Sequence, residues 1–282
     1  MKYTFVSLGR LESFGIRLGG AGLGNILFPW ANAIVYAKDN SLIRIQTTWR
    51  SLKLGTFIRK EKDKRMYSDL FSGRDGIGGL RKFFLLNFSN KVKFFSGMDK
   101  LFDPFKHEHC FVKSELLRII NPSHITQANK FDGNSIAIHI RMGDFSVPDT
   151  ENILREGGWN YQLPIGWYKS IITKIREFSK LPIYIFSDAE DICLKEILDL
   201  EGCTRVHFGS AISDMIALSN ARLLVASAST FSMWASFLGQ TSTIWFPGQM
   251  RQKIIKESSL FEGEIDYNDR LPELLINILN ND

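Results

Sequence analysis

The sequence predicts an α/β protein built on a largely parallel sheet, on three observations. From residue 135 onward, short β-branched apolar runs alternate with amphipathic stretches of helical period, the pattern of strand and crossover helix. The runs at 136–140, 183–186 and 223–226 are apolar at nearly every position, which suits strands covered on both faces. Each run then ends in polar chemistry: His139, Arg141 and Asp144; Ser187 and Asp188; Ser227, Ser229, Thr230 and Ser232. Ligands of open parallel sheets bind beyond the carboxyl ends of the strands, so the three clusters are expected around one crevice.

The chain of 282 residues is long enough for two ordinary domains. The expected division is an N-terminal lobe with the Gly-rich loop over 1–130 and a C-terminal lobe over 131–282, with the closing helix a candidate to pack back on the first. A hydrophobic share of 44% with 23% charged residues fits a globular protein. Three scattered cysteines, Cys110, Cys193 and Cys203, form no disulfide framework and point to reduced thiols in the cytoplasm. The apolar start at residues 3–8 is too short for a signal peptide, and no run approaches the ~20 apolar residues of a membrane span.

Taken in order, residues 2–8 read as a first strand. A glycine-rich stretch follows, with Gly15, Gly19, Gly20, Gly22 and Gly24 before Asn25. Ile26, Leu27, Trp30, Ile34 and Ala37 then recur at helical spacing. A glycine loop opening a helix suits an anion, because unpaired N–H groups point outward there. The dinucleotide form of this motif does not fit: the glycine spacing differs, and the strand expected at 41–46 ends in Gln46 rather than an acid. The Walker lysine is absent too. Residues 49–130 are less regular, with helical patches rich in Phe and Leu. Beyond the central strand at 136–140, Trp167, Ile171, Ile172, Ile175 and Phe178 mark a helix. A strand at 183–186, a helix to about 200 and a strand at 205–208 follow. Residues 214–218 read as a helix capped by Ser213. A strand at 223–226 runs into a helix through Trp234 and Phe237, residues 243–246 form the last strand, and a helix over 271–279 closes the chain.

The net charge of +5 is concentrated. Residues 50–113 hold fifteen Lys/Arg against seven Asp/Glu. Basic residues there interleave with Phe and Leu, at 59–65, 80–86 and 91–95. Such a pattern fits either a half-buried helix with a solvated face or peripheral contact with an anionic membrane surface. No nucleic-acid recognition motif accompanies it.

The chemistry points to a nucleotide diphosphate. The serine-rich cluster at a helix start combines hydroxyls with N–H groups. Arg141 can grip phosphate through two parallel hydrogen bonds. Asp188 can accept from a paired donor edge such as that of guanine. Neither a Walker loop nor a DxD metal motif is present.

The segments Gly22-Leu23-Gly24-Asn25-Ile26-Leu27-Phe28, His139-Ile140-Arg141-Met142-Gly143-Asp144-Phe145, Phe186-Ser187-Asp188, Asp214-Met215 and Ser232-Met233-Trp234 carry a resemblance. In this order they resemble the bacterial α-1,2-fucosyltransferases, the family 11 glycosyltransferases, which share motifs with α-1,6- and protein O-fucosyltransferases. The resemblance implies a GT-B-like fold of two Rossmann-like lobes facing a nucleotide-sugar cleft, with 1–130 the acceptor-side lobe and 131–282 the nucleotide-sugar-binding lobe. It also implies a GDP-fucose donor and inversion at the sugar carbon, with no cofactor and no metal. It places Arg141 on the donor's β-phosphate, His139 and Asp188 on the guanine, and Ser229, Thr230 and Ser232 on the phosphates. Ser187 is grouped with Asp188; Gly22, Gly24 and Asn25 fall on the loop facing the diphosphate. The family usually carries HxRRGD, whereas the second arginine here is Met142, which removes one cation or donor-sugar contact.

The expected activity is transfer of L-fucose to a hydroxyl of a cell-surface oligosaccharide, of O-antigen or capsule type. Its expected partners are a nucleotide sugar and an oligosaccharide acceptor, free or lipid-linked, and its expected location is the cytoplasm or the cytoplasmic membrane face. Arg141 would stabilise charge on the leaving diphosphate. Asp144 is the first candidate base, with Asp149, Glu151 and Glu156 behind it; the alternative for Asp144 is a carboxylate orienting Arg141. Trp159, in a Gly-rich loop, is the candidate acceptor platform, while Trp30, Trp167 and Trp234 read as core. The run His107-Glu108-His109-Cys110 lacks a second cluster of metal-site spacing. Two alternatives stay open: a transferase for another nucleotide sugar, and a non-catalytic nucleotide- or glycan-binding protein on the same scaffold.

Overall fold

The computed structural model describes residues 1–8, 21–49, 67, 69–72 and 75–280, with the backbone of 16–17 and 52–53. The chain divides into two compact units, Met1–Ile125 and Thr126–Asp282.

In the first unit, β1 (Tyr3–Val6) is buried along its whole length. It is the central strand of a parallel sheet, between β3 (Ile43–Arg44) and β5 (Val92–Phe95). A further parallel pair joins β2 (Ile16–Arg17) to β4 (Leu52–Lys53). α1 (Leu23–Asp39) starts three residues earlier than its apolar period suggests, because Gly22 takes the extended N-cap conformation and accepts the Ile26 N–H. The strand expected over 41–46 shrinks to two residues. Ser41 turns with positive φ, and beyond Arg44 the pairing partner becomes Ile77. The irregular middle resolves into α2 (Gly79–Phe88), α3 (His109–Ile119) and α4 (Pro122–Ala128). α3 buries Val112, Leu116 and Ile119, a normal amphipathic stripe. α2 is half-buried as expected, with Leu85 and Leu86 partly buried on the core of the first sheet, but its exposed side is apolar: Leu80, Phe84 and Phe88 face outward.

The second unit holds a six-stranded sheet, parallel throughout, in the order β11-β10-β9-β6-β7-β8. These strands are β6 (Ile136–Ile140), β7 (Ile183–Ser187), β8 (Cys203–Arg205), β9 (Leu223–Val225), β10 (Ser242–Trp245) and β11 (Glu262–Glu264). The chain leaves β6 toward β7 and β8, then returns to β9 on the other side of β6. The direction of winding therefore reverses between β6 and β9, the switch point at which doubly wound sheets bind ligands. On one face, Ile136, Ile138 and Ile140 pack with Trp167, Ile171 and Ile175 of α6 (Ile165–Arg176). Fully burying each such side chain contributes about 1.5–3 kcal/mol. Strand alternation turns Ala137 and His139 to the opposite face, toward α8 (Ala211–Ser219) and α9 (Thr230–Gly239). α5 (Glu151–Arg155) and α7 (Asp191–Leu198) complete the crossovers. The closing helix α10 (Glu273–Asn280) buries Leu275 and Leu279 in the core of this second unit.

Three boundaries differ from the sequence reading. β8 ends at Arg205, since His207 and the Phe208 N–H are taken by the Asp214 carboxylate at 2.7 Å each. α8 is capped by Ser210 rather than Ser213: extended Ser210 accepts the Ser213 N–H, and Ser213 is buried inside the first turn. β10 is not the last strand, because the short polar run of β11 pairs with it at the sheet edge.

Candidate functional site

β6 delivers His139 to the switch point, where the side chain is only 7% exposed. Its Nδ1 lies 2.8 Å from Ser232 Oγ and 3.0 Å from Ser227 Oγ. Ser227 Oγ in turn reaches Ser229 Oγ at 2.8 Å and Ser232 Oγ at 3.0 Å. Ser229 is the N-cap of α9; it is extended and accepts the Ser232 N–H. The cap that starts the helix thus also fixes the hydroxyls around the imidazole. Burial, reinforced by the charge of Arg141, depresses the His139 pKa to about 3. The ring is neutral at neutral pH and works through hydrogen bonds. Phe231 covers it at 4.9 Å between ring centres, and the Tyr168 hydroxyl donates to the His139 carbonyl.

Two residues on, Arg141 is held by two carboxylates. It pairs with Asp144, and its Nη1 lies 2.6 Å from Asp188 Oδ2. Asp188 Oδ1 accepts the Met142 N–H at 2.9 Å, so both of its oxygens are engaged within the protein. A Cβ at Gly143 would stand 2.1 Å from Asp188 Oδ2, so only glycine admits this contact undisturbed. The loop is braced by Gln162, whose Nε2 donates to the Phe145 carbonyl at 2.8 Å. The Ser146 N–H bonds the Asn160 carbonyl. Met142 packs, partly buried, against the core of the unit. One cation between two carboxylates gives this corner a net charge of −1. That charge opposes a second anion unless Arg141 exchanges its Asp144 contact for it.

The other expected residues are distributed as follows. Ser187 accepts the Ala189 N–H in a local turn, and Arg205 holds the Ser187 and Ala189 carbonyls. Thr230, half-buried, is the first residue of α9. Gly22, Gly24 and Asn25 belong to the first unit. A Cβ at Gly22 would meet nothing within 4 Å, while Gly24 is buried and Asn25 half-buried. Gly15, Gly19, Gly20 and the basic run at 59–65 lie outside the described residues.

Trp159 is 44% exposed, and the Arg251 guanidinium stacks on it at 4.3 Å. Arg251 also donates to the carbonyls of Gly157 and Gly158. Because Asn160 pairs with Ser146, Trp159 adjoins the loop that carries Arg141. Trp30, Trp167 and Trp234 are wholly buried. Among the candidate bases, Glu151 is paired with Arg155 at 2.7 Å and takes the Tyr267 hydroxyl, whereas Asp149 and Glu156 are exposed. Gln162, Phe231 and Arg251 escaped the sequence reading. No motif marks them, and Arg251 stands more than ninety residues from the ring it covers. Among the described residues no group of three His, Cys, Asp or Glu side chains is placed to hold a metal ion. In the run at 107–110, Glu108 pairs with Lys38.

The model of glycosyl transferase family 11 matches residues 25–261. No curated protein sequence matches the chain. Among solved structures, the NodZ alpha-1,6-fucosyltransferase co-crystallized with GDP is 14% identical, covering 87% of this chain and 95% of its own, with a TM-score of 0.46. POFUT1 in complex with GDP is 15% identical, covering 86% and 98%, with a TM-score of 0.45. The fucosyltransferase NodZ from Bradyrhizobium is 13% identical, covering 84% and 94%, with a TM-score of 0.44.

Proposed function

Because the chain belongs to glycosyl transferase family 11, we propose that it transfers L-fucose from GDP-fucose to a hydroxyl of a cell-surface oligosaccharide, of O-antigen or capsule type, in α-1,2 linkage. The observation carrying this reading is the meeting of His139, Arg141, Asp188 and the Ser227–Ser229–Ser232 cluster at one switch point. It offers hydroxyls, a helix start and a guanidinium in the place where a doubly wound sheet receives a nucleotide.

The reaction is a single displacement. The acceptor oxygen forms its bond to the anomeric carbon on the face opposite the diphosphate, the bond from that carbon to the β-phosphate oxygen breaks, and the configuration inverts. The electron pair leaves with GDP, whose growing charge Arg141 meets together with the N-terminus of α9. These groups do the work without a metal ion. When Arg141 turns to the phosphates, Asp144 takes the proton of the acceptor hydroxyl. Asp188 keeps its hold on the Met142 N–H and aims the guanidinium. Neutral His139 and the serines line the nucleotide, and Trp159 stacks on the acceptor sugar.

Met142 in place of the usual arginine favours one second reading, another GDP-sugar as donor. The test is release of GDP from GDP-fucose and from GDP-mannose, with oligosaccharide acceptors, alongside thermal shift with GDP, UDP and ADP. Turnover of GDP-fucose with an inverted product supports the reading. A protein that turns over no nucleotide sugar, yet is stabilised by GDP through mass action, is a binding protein and removes it.

A further inference from the structure

α2 turns its apolar side outward. Residues 80, 84 and 88 form one stripe along a helix, and Leu80, Phe84 and Phe88 are 79%, 58% and 75% exposed. Phe83 flanks them, in edge contact with Phe84. The inward side is Leu85 and Leu86, which pack on Tyr3, Phe5, Ile45 and Val92, and Lys82, which donates to the Gln46 carbonyl at 2.7 Å. β5 adds Phe94, also exposed, on the same sheet face: it pairs with Phe5 in register and meets its ring edge-on at 5.9 Å. Among the described residues, four of the five exposed phenylalanines lie here. That concentration marks a contact surface rather than the usual scatter.

The fringe of this face is positive. Residues 76–98 contain no Asp or Glu; Arg81 and Lys91 are exposed, whereas Lys82 turns inward and Lys93 lies over the Tyr36 ring. We propose that α2 and Phe94 dock on an anionic lipid bilayer surface, with the Phe and Leu side chains in the acyl boundary and the basic residues on the headgroups. A second copy of the chain fits worse. A two-fold contact sets the same patch against itself, which would bring Arg81 and Lys91 toward their own like charges. Anionic headgroups neutralise them. The contact is peripheral, because no helix among the described residues is long and apolar enough to cross a membrane. None of these residues belongs to the second unit's site, so the inference stands apart from the sugar-transfer reading.

The test is co-sedimentation with vesicles of phosphatidylcholine, with and without phosphatidylglycerol, at low and high salt. The wild type should bind the phosphatidylglycerol vesicles at low salt and release at high salt. Phe84→Ser combined with Phe88→Ser should weaken binding at least roughly tenfold, since two large apolar side chains are removed. Arg81→Ala should weaken it roughly fivefold, the effect of one charge near the surface. Melting temperatures should stay unchanged, because these side chains are exposed. Absence of binding at low salt, equal binding to pure phosphatidylcholine, or indifference to the Phe substitutions would each overturn the proposal. So would a dimer in chromatography that the Phe substitutions turn into a monomer.

Discussion

Arg141 Nη1 lies 2.6 Å from Asp188 Oδ2, tying the end of β6 to the end of β7. Both side chains are about a quarter to a third exposed, at 26% and 30%, so the pair contributes only ~0–1 kcal/mol to stability. Its effect is on direction: it fixes where the Arg141 guanidinium points. Asp188→Asn should therefore weaken GDP, UDP and ADP to similar extents, each by about 1.5–3 kcal/mol, the range for hydrogen bonds to charged groups. Calorimetry with the three nucleotides checks this. A loss confined to GDP would move Asp188 from aiming Arg141 to contacting the guanine.

Gly143→Ala tests the same pair from the backbone. The added Cβ would fall 2.1 Å from Asp188 Oδ2, and the flexible carboxylate can rotate away at little cost to the fold. The expected outcome is a melting temperature within a few degrees of wild type, with the nucleotide-binding loss of Asp188→Asn reproduced. A variant that binds nucleotide normally would show that the pair does not aim Arg141.

Arg141→Ala should leave the protein folded, since the side chain is partly exposed and its ion pairs contribute little. Turnover should fall ~10²–10³-fold in kcat, by analogy with removal of one oxyanion donor. Arg141→Lys should not restore it, because a point charge cannot reproduce the planar fork. Donor turnover and melting temperature on the same preparations decide the matter. Wild-type kcat in a folded Arg141→Ala protein would sink the mechanism.

His139 makes a prediction about acid. Its pKa falls from 6.5 unfolded to about 3 folded, so the folded state favours the neutral ring. The stability it contributes is fully present above pH 6.5 and is lost as pH drops toward 3. The slope approaches about 1.4 kcal/mol per pH unit, or roughly 2 kcal/mol between pH 7 and pH 5. His139→Asn removes the titrating group, so its urea-unfolding stability should fall less over that interval. Parallel pH profiles for the two proteins would contradict the burial argument.

Trp159→Ala should raise KM for the acceptor roughly tenfold, with KM for the donor nearly unchanged, given ~1–3 kcal/mol for stacking on an aromatic platform. Arg251→Ala should give a smaller rise in the same constant, because Arg251 only holds one face of the ring. Equal effects on donor and acceptor would place Trp159 in the nucleotide site.

The second unit was legible because its physics is local. Five consecutive buried residues at 136–140 announce a central strand, and Ser229 three residues before Ser232 announces a helix cap. The first unit was less so: β3 has two residues, and its extent depends on a bridge to Ile77, more than thirty residues away. β11 carries the sequence Glu-Gly-Glu, which has no strand character of its own and pairs only because β10 offers an edge.

The parallel α/β order, the polar residues at the strand ends and the family they resemble could be read from the chain alone, since apolar period and side-chain type are written residue by residue. Which of those polar groups meet depends instead on the order of the strands in the packed sheet. His139 finds Ser227 and Ser232 because β9 returns beside β6, Arg141 finds Asp188 because β7 lies on the other side, and Trp159 finds Arg251 across a loop. Sheet order follows from the burial of both faces at once. That is a property of the whole packed unit, which no single segment encodes.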